Sequence, residues 1–240
     1  ISHNLVLETN EYGMTLKSAA VGYPRRASDP SLAPRDQAEQ AALHVVYTEN
    51  DFTNAVDATD SHCVPRPSAT RSYEITGIAL PPDQNRLTIE QIGDAAHNAV
   101  EIAYETAPNT SVVQKRLVEH ERTLYRSDDL SATLPSGTVE ARALPLETYK
   151  FALTPSLVTQ VYGARVSDAM LTDAGYVHFA GDEKWWVPSG RAFYSPSGSD
   201  TAAQELAFAQ QHFFQPCRYQ GPMGAVTTVR RDAYDLLLLE

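Results

Sequence analysis

The chain has 240 residues, 42% of them hydrophobic, and 30 Asp and Glu outnumber 19 Lys and Arg, giving a net charge of −11 at pH 7. That length accommodates one large all-β domain or two small ones. The negative charge repels a phosphate backbone, so no nucleic-acid partner is expected, and no apolar run approaches the ~20 residues of a membrane span.

The 12 Tyr, 7 Phe and 2 Trp suit half-buried sheet faces. Fifteen Pro against 12 Gly argue for many loops and against a long helical bundle. The chain opens with neither Met nor a signal peptide, as expected of a piece of a longer protein. Cys63 and Cys217 are far apart and form no C-x-x-C pair; two free thiols are expected, so the fold must rest on its core.

In chain order, residues 5–9 and 14–21 read as a hairpin around Asn10-Glu11-Tyr12-Gly13, with Leu5, Leu7, Met14 and Leu16 on one face. Residues 24–34, with Arg25-Arg26 and Ser28-Asp29-Pro30, form a loop. Strand pattern resumes at 43–48, residues 54–67 are loop, and residues 70–78 alternate as a strand. Thr88 with Gln91 makes a capping box, and Ile89, Ile92, Ala96 and Val100 follow at helical spacing. Residues 113–126 alternate as a long strand, with Lys115, Arg116, Arg122 and Arg126 expected on a solvated face. Two short helices follow, capped by Thr154 before Pro155 and by Ser167, and stopped by Gly163 and Gly175.

Residues 176–179 and 185–187 are expected to pair as strands around Ala180-Gly181-Asp182-Glu183, and Ser189-Gly190 to turn into the next strand. Asp200 opens a helix with Leu206, Ala209 and Phe213. Residues 221–240 close in strand pattern. The stretches 9–17 and 224–235 share one plan, a tight glycine turn beside an alternating strand carrying Tyr or Asp. No linker or low-complexity tract divides the chain, so residues 1–240 are expected to be a single unit. The expected fold is mainly β, a β-hairpin sheet with several short α-helices (α+β if classed by content).

Motifs that carry chemistry are few. His62-Cys63 would point to opposite faces of a strand, and Asp51, Asp57 and Asp60 read as a solvated acidic loop rather than a calcium cage. There is no G-x-S-x-G elbow and no phosphate-cradling glycine loop. Glu119-His120-Glu121 puts two carboxylates on one face of a strand, the spacing ADP-ribosyltransferases use. Arg116 and Arg122 offer those carboxylates ion pairs instead, so no catalytic residue, cofactor or metal is expected. Trp185-Trp186 is the sharpest binding hint. One indole could face outward to a partner or a sugar ring, or both could lie under loops in a wall with two buried faces; the second is preferred.

Several longer phrases are more specific: Leu16-Lys17-Ser18-Ala19-Ala20-Val21-Gly22-Tyr23, Tyr47-Thr48-Glu49-Asn50-Asp51-Phe52-Thr53-Asn54, Tyr73-Glu74-Ile75-Thr76-Gly77, His120-Glu121-Arg122-Thr123-Leu124-Tyr125, and Trp185-Trp186-Val187-Pro188-Ser189-Gly190-Arg191. The closing Asp232-Ala233-Tyr234-Asp235-Leu236-Leu237-Leu238-Leu239-Glu240 joins them. On these the chain resembles the middle-to-C-terminal region of the B component of bacterial insecticidal toxin complexes, a family that shares sequence with SpvB-type virulence proteins of Salmonella.

The resemblance implies a structural, non-enzymatic segment of a secreted, extracellular complex. In that family the B component joins a C component carrying Rhs/YD repeats. Together they form a hollow β-sheet shell around a cytotoxic effector. Other regions of the B component dock on the pore-forming A component. The rival readings are an ADP-ribosyltransferase-like domain using Glu119 and Glu121 and a glycan-binding module using Trp185 or Trp186.

Overall fold

The computed structural model of the protein describes residues 2–239 and is mainly β, with short helices between the strands. Glu240, the end of the last phrase quoted above, lies outside the described residues. Backbone contacts divide the chain into two compact units, Ile1–Asn50 with Thr70–His120, and Asp51–Ala69 with Glu121–Glu240. The boundaries fall within or just beside strands rather than in loops, which is why no Pro-, Gly- or Ser-rich linker marks them in the sequence.

In the first unit the strands run in the order β1 (Ser2–Thr9), β2 (Thr15–Gly22), β3 (His44–Phe52), β6 (Pro67–Thr76) and β8 (Gln114–Arg126), and β7 (Val100–Ile102) pairs parallel with β8. The first hairpin closes because the Asn10 side-chain oxygen accepts from the amides of Tyr12 and Met14, while Gly13 takes φ +74°. That φ costs a residue without Cβ nothing. Register then carries the apolar pattern across strands: Leu5 lies opposite Ala19 and Ala19 opposite Tyr47, while Val21 lies opposite Val45.

This face packs on α2 (Ile89–Asn98), whose Ile92 and Ala96 are buried beside Leu87. The predicted capping box is present, Thr88 accepting from the Gln91 amide and Gln91 accepting from the Thr88 amide. Only Ile92 and Ala96 of the predicted stripe are buried; Ile89 is exposed and Val100 has already left the helix for β7. The helix α1 (Pro34–Ala41) buries no residue, so it offered no periodicity to read.

The second unit has the order β8, β9 (Leu144–Leu153), β10 (Trp185–Phe193), β11 (Arg218–Gln220), β12 (Val226–Thr228), and a separate hairpin of β4 (Val56–Ala58) with β5 (Ser61–Cys63) where a loop was expected. The helices are α3 (Pro155–Tyr162), α4 (Asp168–Asp173) and α5 (Ala202–Gln211), capped by Thr154, Ser167 and Thr201. Residues 176–179 do not form a strand; Val177 alone bridges Trp186.

Ser189-Gly190 is a register shift inside β10 rather than a turn. Gly190, at φ +106°, brings its Cα so close to the Gln220 carbonyl that a Cβ would sit 2.6 Å from that oxygen, so any larger residue would push β11 away. Past β12 the Tyr-Asp phrase is a turn, in which the Asp232 carboxylate accepts from the amides of Leu236 and Leu237 and Arg231 bridges Leu238.

The four basic residues expected on a solvated face are each engaged. Lys115 lies over the Tyr73 ring, Arg116 pairs with Glu74, Arg122 with Asp182 and Arg126 with Glu205. The last pair is a bidentate clasp, Nη1 to Oε1 at 3.0 Å and Nη2 to Oε2 at 2.9 Å, within a cluster of Leu130, Leu144, Tyr194 and Ala209. Removing one partner leaves a desolvated charge, so Glu205→Gln should destabilise the chain by about 3–5 kcal/mol in urea unfolding, whereas Arg126→Met with Glu205→Met should lie nearer wild type.

Candidate functional site: the tryptophan pair and its cavity

Trp185 and Trp186 open β10, which pairs antiparallel with β9; Trp186 lies opposite Phe151 and Val187 opposite Lys150. On a regular strand the two indoles would face opposite sides. Both are buried here, at 3% and 0% exposure, because a register shift falls between them and each side of the strand is covered.

Trp186 meets Phe179 edge-on at 5.2 Å and Phe151 at 6.1 Å between ring centroids. The Arg122 guanidinium sits 4.3 Å from the Trp186 ring and 4.9 Å from that of Phe179. Asp182 closes the group: one carboxylate oxygen accepts from the Trp186 indole N–H at 3.2 Å and stands 3.5 Å from Arg122, and the other accepts from the Lys184 amide. The turn 180–183, legible in the sequence, therefore exists to carry a counter-charge into an aromatic box. Nearby, Tyr149 packs on Phe179 and donates to Glu147; burial, then this carboxylate, pushes its hydroxyl up to about 12.

Trp185 packs on Val158 of α3 and Leu171 of α4 and lies beneath the His178 ring, with centroids 3.7 Å apart. His178 donates from Nδ1 to the Lys184 carbonyl at 2.9 Å. A cavity of about 680 Å³ borders Trp185 and His178, with Pro155, Asp168 and Glu183 also on its wall. That is the size range of small-molecule clefts. Asp182, the third carboxylate on the wall, is already committed to Arg122 and Trp186.

The remaining sequence candidates do not gather here. Glu121 pairs with Lys150 of β9 at 3.3 Å, and Glu119 belongs to the other unit. His62 is exposed beside Asp57 while Cys63 is buried, the opposite facing expected of strand neighbours. Cys63 and Cys217 are both free and buried. Among the described residues, no three His, Cys, Asp or Glu side chains converge as metal ligands would. Sequence reasoning brought residues 176–179 beside Trp186 but missed Arg122, 64 positions away, which no spacing rule links to it.

Residues 1–64 match the model of the family described as insecticide toxin TcdB middle/C-terminal region. No curated protein matches the chain. Among solved structures, the crystal structure of TcdB2-TccC3-Cdc42 aligns over 99% of this chain with a TM-score of 0.61 and 18% identity. Those of TcdB2-TccC3-TEV and of TcdB2-TccC3 without its hypervariable C-terminal region align over 99% with TM-scores of 0.62 and 20% identity. This chain spans 11% of the length of each of them.

The Arg122 box makes a prediction of its own. Arg122→Met should cost about 1–2 kcal/mol in urea unfolding and shift the emission of Trp186, since the carboxylate beside the indole loses its cation. An unchanged midpoint and spectrum would show that the guanidinium contributes nothing. The resemblance to the B component of bacterial insecticidal toxin complexes, read first from scattered phrases, is borne out by the family match at the N-terminal end and by a fold shared with TcdB2-TccC3 over nearly the whole chain.

Proposed function

We propose that this chain is a non-enzymatic structural segment of a toxin-complex B component, one unit in the wall of a hollow β-sheet shell that encloses a cytotoxic effector and delivers it. The observation that carries the reading is an unfinished surface. Tyr234 and Leu236 to Leu239 stand 62–78% exposed along the turn after β12. An apolar strip of this kind on a hairpin sheet is what a neighbouring segment covers in an assembly. The fold likeness to TcdB2-TccC3, which extends over 99% of the chain, supports the same reading.

In this reading the partner is the C component, as the pairing of TcdB2 with TccC3 in the similar structures favours. Contact with the A component falls to other regions of the parent, in a secreted, extracellular complex. Residues 1–240 act as one piece of that wall. Trp185 and Trp186 serve it as packing, and the point left for a partner or a glycan is the cavity edge of Trp185, since Trp186 is sealed.

Two measurements test the proposal. The isolated chain should self-associate in light scattering, and replacing Leu236, Leu237 and Leu239 with Ser should reduce that association; a monodisperse wild-type monomer would count against a wall segment. The enzymatic rival requires Glu121 to act on NAD, yet Glu121 is held by Lys150. Wild type and Glu121→Gln should both be inert in NAD hydrolysis, and activity lost with the substitution would replace this reading with a transferase.

A further inference from the structure

We propose that a cavity in the first unit, bordered by Arg25, Arg26 and Arg86, is a binding site for a phosphate-bearing anion. The cavity measures about 710 Å³ and is lined by no carboxylate; Asn85, Tyr23 and Leu80 share the wall with the arginines. This is anomalous in a chain of net charge −11. Arginines at the strands often meet carboxylates, Arg71 with Glu49, Arg116 with Glu74 and Arg191 with Glu147 among them, while others such as Arg218 and Arg231 are held by backbone carbonyls; what sets this cavity apart is three guanidinium-bearing residues on one wall.

None of the three at the cavity has an ion pair among the described residues, although carboxylates are in excess. The nearest on the same loop, Asp29, accepts from the amide and the hydroxyl of Ser31. Those bonds first, and Arg25 after them, hold its carboxyl below the ordinary range.

The site is assembled from two separate segments that are fixed to each other. Arg25 and Arg26 follow β2, and Arg86 precedes α2. The Tyr23 hydroxyl accepts from the Leu87 amide at 2.9 Å, tying the two segments beside the cavity, and the Arg25 amide donates to the Gln40 carbonyl at 2.8 Å. The backbones are therefore set before any ligand arrives, which reduces the ordering cost of binding.

Three planar guanidinium forks present more donors than the two oxygens of one carboxylate can accept, whereas a phosphate group offers three terminal oxygens and close to two charges. The volume exceeds a bare phosphate, and Pro24, Ala27 and Leu80 give the remainder an apolar wall for the organic part of a phosphate ester or a lipid headgroup.

The test is calorimetric titration of the full 240-residue chain with inorganic pyrophosphate at low ionic strength. Arg25→Gln combined with Arg86→Gln should weaken binding by about tenfold or more. Arg35→Gln on α1 should leave it unchanged, and circular dichroism should show all three proteins equally folded. Wild-type binding should also fall as salt is raised.

Glucose 6-phosphate in solution and phosphatidylcholine vesicles containing phosphatidic acid then separate the two sources. Titration by the sugar phosphate alone assigns a soluble ester, and vesicle co-sedimentation lost in the double variant assigns a headgroup. No heat with pyrophosphate, equal binding by the double variant, or binding of polyglutamate without pyrophosphate would each overturn the proposal.

Discussion

Two residues from different parts of the second unit bring three donors onto one buried carboxylate, and the packing around them depends on it. Glu205, in the first turn of α5, accepts both Nη atoms of Arg126 from the end of β8 and the backbone amide of Tyr194 just past β10, at 2.7 Å. Arg126 in turn donates to the Leu130 carbonyl. A clasp of this sort fixes the helix and two strand ends at once, and it is not in itself a source of great stability, since desolvation offsets much of its Coulomb gain. Its worth is orientation. Leu130 holds a left-handed φ of +60°, a conformation costing a non-glycine residue about 1–3 kcal/mol, and keeps it where its carbonyl meets the guanidinium and its side chain fills the cluster with Tyr194 and Ala209.

The sequence announced the parts whose signal is local. The Asn10-Gly13 hairpin was legible because turn chemistry is written in adjacent residues, and so were the caps at Thr88, Thr154 and Ser167. What stayed hidden depends on distant partners. β9 escaped because its apolar alternation, Leu144 and Leu146 and then Tyr149, Phe151 and Leu153, changes phase midway; it is a strand because β8 and β10 pair with it on either side. α1 escaped because it buries nothing. Ser189-Gly190 looked like a turn because that dipeptide makes turns, but Gly190 is there for the close approach of Gln220.

The tryptophan pair shows the same limit at the candidate site. Adjacent Trp residues on a strand promise one exposed ring only if the strand is regular and one face is wet. Here each condition fails: the register slips between them, and helices α3 and α4 cover one indole while the Arg122, Phe179 and Asp182 group seals the other. Side chains of a kind that can bind sugars are thereby turned into interior packing, and among the described residues it is Trp185, not Trp186, that borders the cavity.

Charge is allotted in a way that composition alone would not foretell. An excess of eleven negative charges should neutralise every cation within reach. Most arginines that touch strands are neutralised, by Glu49, Glu74, Asp182, Glu205 and Glu147, and there the pairing serves register and packing. The arginines at residues 25, 26 and 86 sit on loops whose backbones are tied by Tyr23 and Gln40, and none of the three forms an ion pair among the described residues. In the proposed site a chain that repels anions overall keeps a basic hollow, and a focused potential of that kind would select small, dense anions over extended ones, whose distal charges meet the repulsion of the rest of the surface.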